Sequence, residues 1–334
     1  MLDLAKSTLR APRDYSACSG CNLCLLVCPV WRRTHDFSLT PHGRAKALQF
    51  GAAAGDIAAS VQSCTLCAAC EPVCPEEIRL VAMTLDLRRQ LPQPAAMADL
   101  LAGMQTRASP SAAPALSSAT VLLPGPALRD RPSTLARVRA LLQRSGATAL
   151  GADDGADIAL ALEAGGEIAQ RRLDRFLRPL HGVKKIIVAD GLLLRHLQPL
   201  LPGSKIIGVG EALSGLAAVR SALRAKDLYV IEARAYHADY QRLVRYYDSL
   251  RAAAGCSFNL DLQRIAIPAA ARSLPQRLGL EAVDDGVQLR WILQGRKVTR
   301  IVVESMEDRA AFEQYGECPV VHLADLVDDG TSSV

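Results

Sequence analysis

The sequence predicts an α plus α/β chain: a helical N-terminal region, then a duplicated α/β unit with mostly parallel sheets. Three observations predict it. Eight of the 10 cysteines stand in the first quarter of the chain, in two runs of the same spacing. From Thr120 onward, short apolar runs alternate with helical periodicity, the pattern of strands joined by crossover helices. Within that stretch Lys185-Ile-Ile-Val-Ala-Asp190 matches Arg300-Ile-Val-Val-Glu-Ser305, and each copy is followed by a helix and a further short strand.

The cysteine runs organise the first region. Cys18, Cys21, Cys24 and Cys28 precede Pro29; Cys64, Cys67, Cys70 and Cys74 precede Pro75. Both read C-x2-C-x2-C-x3-C-P, the run of two-cluster ferredoxins. Three cysteines at two-residue gaps wrap one cubane in a tight loop. The fourth does not reach back to it and ligates the other cluster. Two [4Fe–4S] clusters are therefore expected, one on Cys18, Cys21, Cys24 and Cys74, the other on Cys64, Cys67, Cys70 and Cys28. Pro29 and Pro75 turn the chain just after each crossing ligand. Zinc takes paired C-x2-C sets, not a triplet plus a fourth cysteine twice over. A disulfide framework suits an exported and usually small chain, which this one does not resemble.

Around the cysteines the pattern is helical. The first loop runs into a helix carrying Leu23, Leu25, Leu26 and Val27. Trp31 to Thr40 reads as an irregular connector, Pro41-His42-Gly43 as a turn, and Arg44 to Phe50 as a short helix. A further helix starts near Gly55-Asp56 and delivers Cys64. Ile78, Val81, Ala82, Leu85 and Arg89 keep helical spacing, so a helix is expected to run to Gln90. Pro92 and Pro94 end it, and Ala95 to Met104 is a short amphipathic segment. A compact bacterial ferredoxin would use β-hairpins here, so the expected form is a helical ferredoxin-type domain over residues 1–108. Residues 109–118, rich in Ser, Ala and Pro, are the expected linker.

Residues 119–334 then divide into two copies, about 119–224 and 227–334. Expected strands are 120–123, 184–189 and 205–209, then 228–233, 299–304 and 320–323. Expected helices are 133–145, 157–164, 168–177 and 192–200, then 238–254 and 307–315. A right-handed crossover between consecutive strands makes such sheets parallel.

Composition narrows the role. The net charge is +5. Four thiolates around an oxidised cubane leave roughly −2 per cluster, so the loaded protein is near neutral, and nucleic acid is not an expected partner. The N-terminus shows no apolar stretch of signal-peptide type, and the longest apolar runs are far short of a spanning helix. The expected location is cytoplasmic, with any contact at the inner membrane made through a partner.

Taken together, the chain resembles the heterodisulfide-reductase-related iron–sulfur proteins. These include the (Fe–S)-binding subunits of anaerobic glycerol-3-phosphate, glycolate and lactate dehydrogenases. The two cysteine runs carry the resemblance at the N-terminus. Further on it is one of pattern: Leu123 to Arg129 resembles the family's opening strand and turn, and Tyr236-His237-Ala238-Asp239-Tyr240 resembles its Y-H-D-P-C. The resemblance implies a dicluster domain followed by a CCG-type domain whose cysteines bind a further cluster. It also implies a flavoprotein or other dehydrogenase partner, and a quinone-reducing, membrane or second redox partner. Here Pro126, Asp153-Asp154-Gly155, Asp190, Tyr240 and Glu304-Ser305 stand where that resemblance would put cysteines. Only Cys256 and Cys318 remain, so the α/β region is expected to bind no cluster.

The remaining candidates read as structural. His237 has no second ligand beside it in sequence. Asp153 and Asp154, flanked by Gly151 and Gly155, read as a solvated loop. Gly203 to Gly210 lacks the spacing of a dinucleotide fingerprint. Arg32, Arg33, His35, Arg44 and Lys46 lie between the cysteine runs, where they either tune a cluster, dock an acidic partner or form a plain solvated face. The expected function is an electron-transfer subunit of an oxidoreductase, with no catalytic residue of its own. The alternatives are an enzyme with a new site near His237 or Asp153, and a regulatory or structural iron–sulfur protein.

Overall fold

The computed structural model describes residues 13–93, 95–107, 119–316 and 318–327. The expected linker lies outside them. The first region is helical: Leu23–Leu26, Pro29–Thr34, Pro41–Gln49, Ala58–Ser63, Leu80–Arg89 and Ala95–Arg107. Among its described residues, strand-type pairing is confined to one parallel bridge between Arg13 and Ile78.

Two segments differ from expectation. The connector after Cys28 opens with a helix, because Pro29 sits at its first position, where a fixed φ is already helical. The helix beginning at Pro41 absorbs the expected turn. Thr40 caps it, accepting from the Gly43 N–H at 3.1 Å. Gly43 packs so closely on the preceding turn that a Cβ there would lie 2.3 Å from the Phe37 carbonyl oxygen.

Eight strands form two sheets. β1 is Thr120–Leu123, β2 Thr148–Leu150, β3 Lys185–Val188 and β4 Lys205–Gly208. β5 is Asp227–Val230, β6 Ser257–Phe258, β7 Arg300–Val303 and β8 Val320–His322. The orders are β2-β1-β3-β4 and β6-β5-β7-β8, every pair parallel. The same order twice is the duplication that the 185–190 and 300–305 match announces. The helix expected over 238–254 is broken at Asp239 (φ −139°, ψ 51°) into Ala233–Ala238 and Tyr240–Ala254.

Alternation along the strands explains the layers. Leu122, Ile187 and Ile207 from the first sheet join Tyr229, Val302 and Phe258 from the second in one core. The opposite face of the first sheet, Val121, Leu123, Ile186 and Val188, packs on helices carrying Ile158, Phe176 and Leu193. Leu228, Val230, Ile301 and Val303 face Leu289, Ile292 and Phe312. Leu66, Ala68 and Val81 belong to the first sheet's outer core. The second cysteine loop is thus packed into the α/β region. Gly165 marks a close approach between the two regions: a Cβ there would lie 2.5 Å from the Arg88 carbonyl carbon. Among the described residues, no helix is long and apolar enough to cross a membrane.

Candidate metal centre

The eight cysteines of the two runs fall around two cavities. One is lined by Cys18, Cys21, Cys24 and Cys74. The other is lined by Cys28, Cys64, Cys67 and Cys70. Each cavity takes three cysteines from one run and the last from the other. Pro41 and Leu80 line both. The helix Pro41–Gln49 supplies His42 and Ala45 to the first and Arg44 to the second; the helix Leu80–Arg89 adds Val81 and Thr84 to the second. Among the described residues, no three His, Cys, Asp or Glu side chains close on one point as the ligands of a single ion do.

Backbone geometry repeats between the loops. The residues on either side of the second cysteine have left-handed φ in both: Gly20 (84°) and Asn22 (66°), Leu66 (52°) and Ala68 (62°). Gly and Asn accept that conformation readily. For Leu and Ala it costs about 1–2 kcal/mol each. The second loop holds it because its carbonyls are tied from outside. Arg88 Nη2 donates to the Cys64 oxygen at 2.6 Å, Arg234 Nη2 to the Thr65 oxygen at 2.7 Å, and His237 Nδ1 to the Cys67 oxygen at 2.7 Å. Glu71 accepts the Val81 N–H at 2.9 Å and pairs with Arg195. The first loop is tied by Lys46 and Gln49, which donate to the Cys18 oxygen at 2.9 and 3.1 Å.

The two cavities differ in exposure and charge. Cys21 is exposed, whereas Cys28 and Cys67 are buried. Leu23 and Leu26, beside Cys24, are 38% and 55% exposed. Burial, then the neighbouring thiols, pushes Cys24 up to about 12. Burial likewise raises Cys28 to about 12, and raises Cys67 and Cys70. Burial acts the same way on Cys64, but Arg44 and Arg88, together with hydrogen bonds from the Leu66 N–H and Thr84, outweigh it and hold that thiol below its usual value. Four thiols that line one cavity and repel one another as thiolates need a compensating positive core, and an iron–sulfur cubane is such a core. The donor sets fit two [4Fe–4S] groups.

The residues singled out in the α/β region have other work. Asp153 and Asp154 are not a solvated loop. Arg172 grips Asp153 at 2.8 and 2.9 Å, and Arg129 pairs with Asp154 at 2.5 Å. The loop closes on cations because Asp157, in the first turn of the next helix, recruits the same Arg172 at 2.8 Å. Cys256 lies in the shared core, and Cys318 points its thiol at the Val298 carbonyl at 3.5 Å. Arg32 stacks over Trp291, its guanidinium carbon 3.0 Å from the ring centre.

Unforeseen from sequence is a cavity of about 100 Å³ where the C-terminal ends of both sheets meet. Pro126, Asp190 and Glu304 line it, together with Thr65 and Cys67 of the second cysteine loop. Glu232, Arg234, Arg277, Glu307 and Asp308 complete its polar wall. Burial pushes Glu232 up to about 8, Glu304 to about 7 and Asp308 to about 6. Glu304 accepts from the Tyr229 and Tyr247 hydroxyls at 2.6 and 2.7 Å. Glu163 bridges Arg234 and Arg277 just behind the wall, at 2.8 Å to each. None of these residues forms a local motif.

Residues 14–78 match the family model of a 4Fe-4S dicluster domain. That match supports an iron–sulfur region of ferredoxin type and binding of 4Fe-4S clusters. No curated protein matches the chain, and no solved structure does.

Proposed function

We propose that this chain is the electron-transfer subunit of an oxidoreductase. Two [4Fe–4S] clusters sit on Cys18, Cys21, Cys24 and Cys74, and on Cys28, Cys64, Cys67 and Cys70. When bound, each supplies a one-electron carrier. The observation that carries the reading is that Pro41 and Leu80 line both cysteine cavities. Two carriers separated by two side chains form a relay rather than two independent sites. The exposed Cys21, with Leu23 and Leu26 beside it, offers the edge where a partner approaches. That partner is a flavoprotein or other dehydrogenase subunit, and a quinone-reducing, membrane or second redox partner completes the complex. The subtype is the heterodisulfide-reductase-related one, with an α/β region whose cluster cysteines are replaced. Anaerobically purified protein should hold about eight iron atoms, two cubanes' worth, and show reversible one-electron EPR signals from two centres. Iron near four, or steady turnover of a substrate by the chain alone, would sink this reading.

A second reading is favoured by the cavity at the strand ends. Ligands of parallel α/β sheets bind there, and this cavity touches Cys67. Under it, the α/β region takes a small polar molecule next to the buried cluster. Substrate-dependent activity lost in Glu304→Gln at unchanged iron content would favour it over the relay alone.

A further inference from the structure

We propose that Arg44 sets the reduction potential of the cluster on Cys28, Cys64, Cys67 and Cys70, and places it above that of the other cluster. The proposal rests on the two-cluster reading above and assigns the direction in which its two sites differ.

Arg44 is 1% exposed and lies in the wall of that cavity. It is the charged residue in a wall otherwise made of thiols, two threonines and apolar groups. Its Nη1 is fixed by the Leu39 carbonyl at 3.1 Å and the Ser60 carbonyl at 2.6 Å. Its Nε is buried and has no hydrogen-bond partner. Among the described residues, Arg44 forms no ion pair with a carboxylate, whereas the neighbouring Arg234 is paired with Glu163. A guanidinium taken out of water without a counter-charge is costly. The negative charge of a thiolate-bound cluster provides one, and the free Nε–H provides a donor toward it.

The other wall is of the opposite character. It holds the Glu76 carboxylate and His42, and no Arg or Lys. Glu76 is paired with Arg13 at 2.5 Å, so that wall contributes little net charge. Reduction adds one negative charge to a cluster. Burial disfavours that addition, and an adjacent unpaired cation favours it. In the wall of a site where solvent does not screen, the cation outweighs burial. At the solvent-facing site the cation at hand is Lys46, which lies outside the cavity wall and spends its ammonium on the Cys18 carbonyl and Gln49 at 2.9 and 2.7 Å.

Redox titration of the holoprotein followed by EPR tests this. Wild type should show two midpoints. Arg44→Gln should lower the higher one by about 59 mV, a tenfold change in the one-electron equilibrium, and leave the lower one in place. Arg44→Lys, which keeps the charge but not the fork, should recover most of the shift. A readout on unaltered protein covers the case in which Arg44→Gln fails to load. With isotopically labelled arginine nitrogen, the reduced higher-potential cluster should show nitrogen hyperfine coupling. Absence of that coupling, or an unmoved higher midpoint in an iron-replete Arg44→Gln, overturns the assignment to Arg44. Wild-type iron near four instead overturns the two-cluster reading beneath it.

Discussion

His237 donates its Nδ1–H to the carbonyl oxygen of Cys67 at 2.7 Å, across 170 residues of sequence. The tie joins the helix after β5 to the middle of the second cysteine loop. Burial holds the imidazole down near 4, so it is neutral and its tautomer is set by that bond. The histidine is a clamp on a backbone carbonyl. His237→Phe should therefore leave the buried Cys67 oxygen without a donor and cost about 1–3 kcal/mol. The measurements are denaturant midpoint and iron content under argon. Iron retained with reduced stability is the expected outcome; full stability with altered substrate turnover would assign the residue a chemical role instead.

The paired left-handed residues make a second prediction with opposite signs at adjacent positions. Ala68 has φ 62°, so Ala68→Gly removes strain and should be neutral to stabilising by about 1 kcal/mol. Ala69, next to it, has no such φ and is 1% exposed, so Ala69→Gly should destabilise by about 1 kcal/mol. Thermal unfolding of the two holoproteins in parallel decides it. Equal losses at both positions would show that the loop is not strained at Ala68.

The pH dependence of one buried histidine has a definite sign. His322 donates from Nε2 to the Glu304 carbonyl and accepts the Ala324 N–H on Nδ1, 3.1 Å each. Burial lowers it from 6.5 to about 4. The unfolded chain thus takes up the proton first as pH falls. The residue's contribution is complete above pH 6.5 and drains away between about 6.5 and 4, by about 2 kcal/mol from pH 7 to pH 5. Wild type should lose that much of its advantage over His322→Asn across this range, as read from chemical denaturation of both. A constant difference between pH 7 and pH 5 would contradict the assignment.

How much of this was legible in the sequence depends on the range of the interactions. The cysteine spacing is local, so the division of the eight residues into two groups could be written down before any coordinates. β1, β3, β4, β5, β7 and β8 announce themselves because each is a run of Val, Ile, Leu or Tyr. β2 and β6 do not, because Thr-Ala-Leu at 148–150 and Ser-Phe at 257–258 hold no such run. The clamps on the second loop were invisible for another reason. Arg234 reaches Glu163 and Thr65 from 71 and 169 residues away, and no local pattern encodes such a contact. Asp153 and Asp154 look like a polar loop until Arg129 and Arg172 arrive from neighbouring elements. The strand-end cavity combines both difficulties. Its acids, Asp190, Glu232, Glu304, Glu307 and Asp308, come from three separate segments, and each segment reads in isolation as the start of a helix.

Crossed ligation gives the sharpest test of the site. Cys28 shares its cavity with Cys64, Cys67 and Cys70, and Cys74 shares its own with Cys18, Cys21 and Cys24. Cys28→Ser should therefore impair the cluster of the second run, and Cys74→Ser that of the first. The walls make the two losses distinguishable. The cavity with Cys28 is buried against Arg44, while the one with Cys74 includes the exposed Cys21. EPR-monitored titration of the two variants should thus remove different midpoints, and oxidant exposure should attack the surviving cluster faster in Cys28→Ser, where the remaining one faces solvent. If Cys28→Ser instead removes the cluster that is reached first by external oxidant, each run keeps its own fourth cysteine and the relay is not crossed.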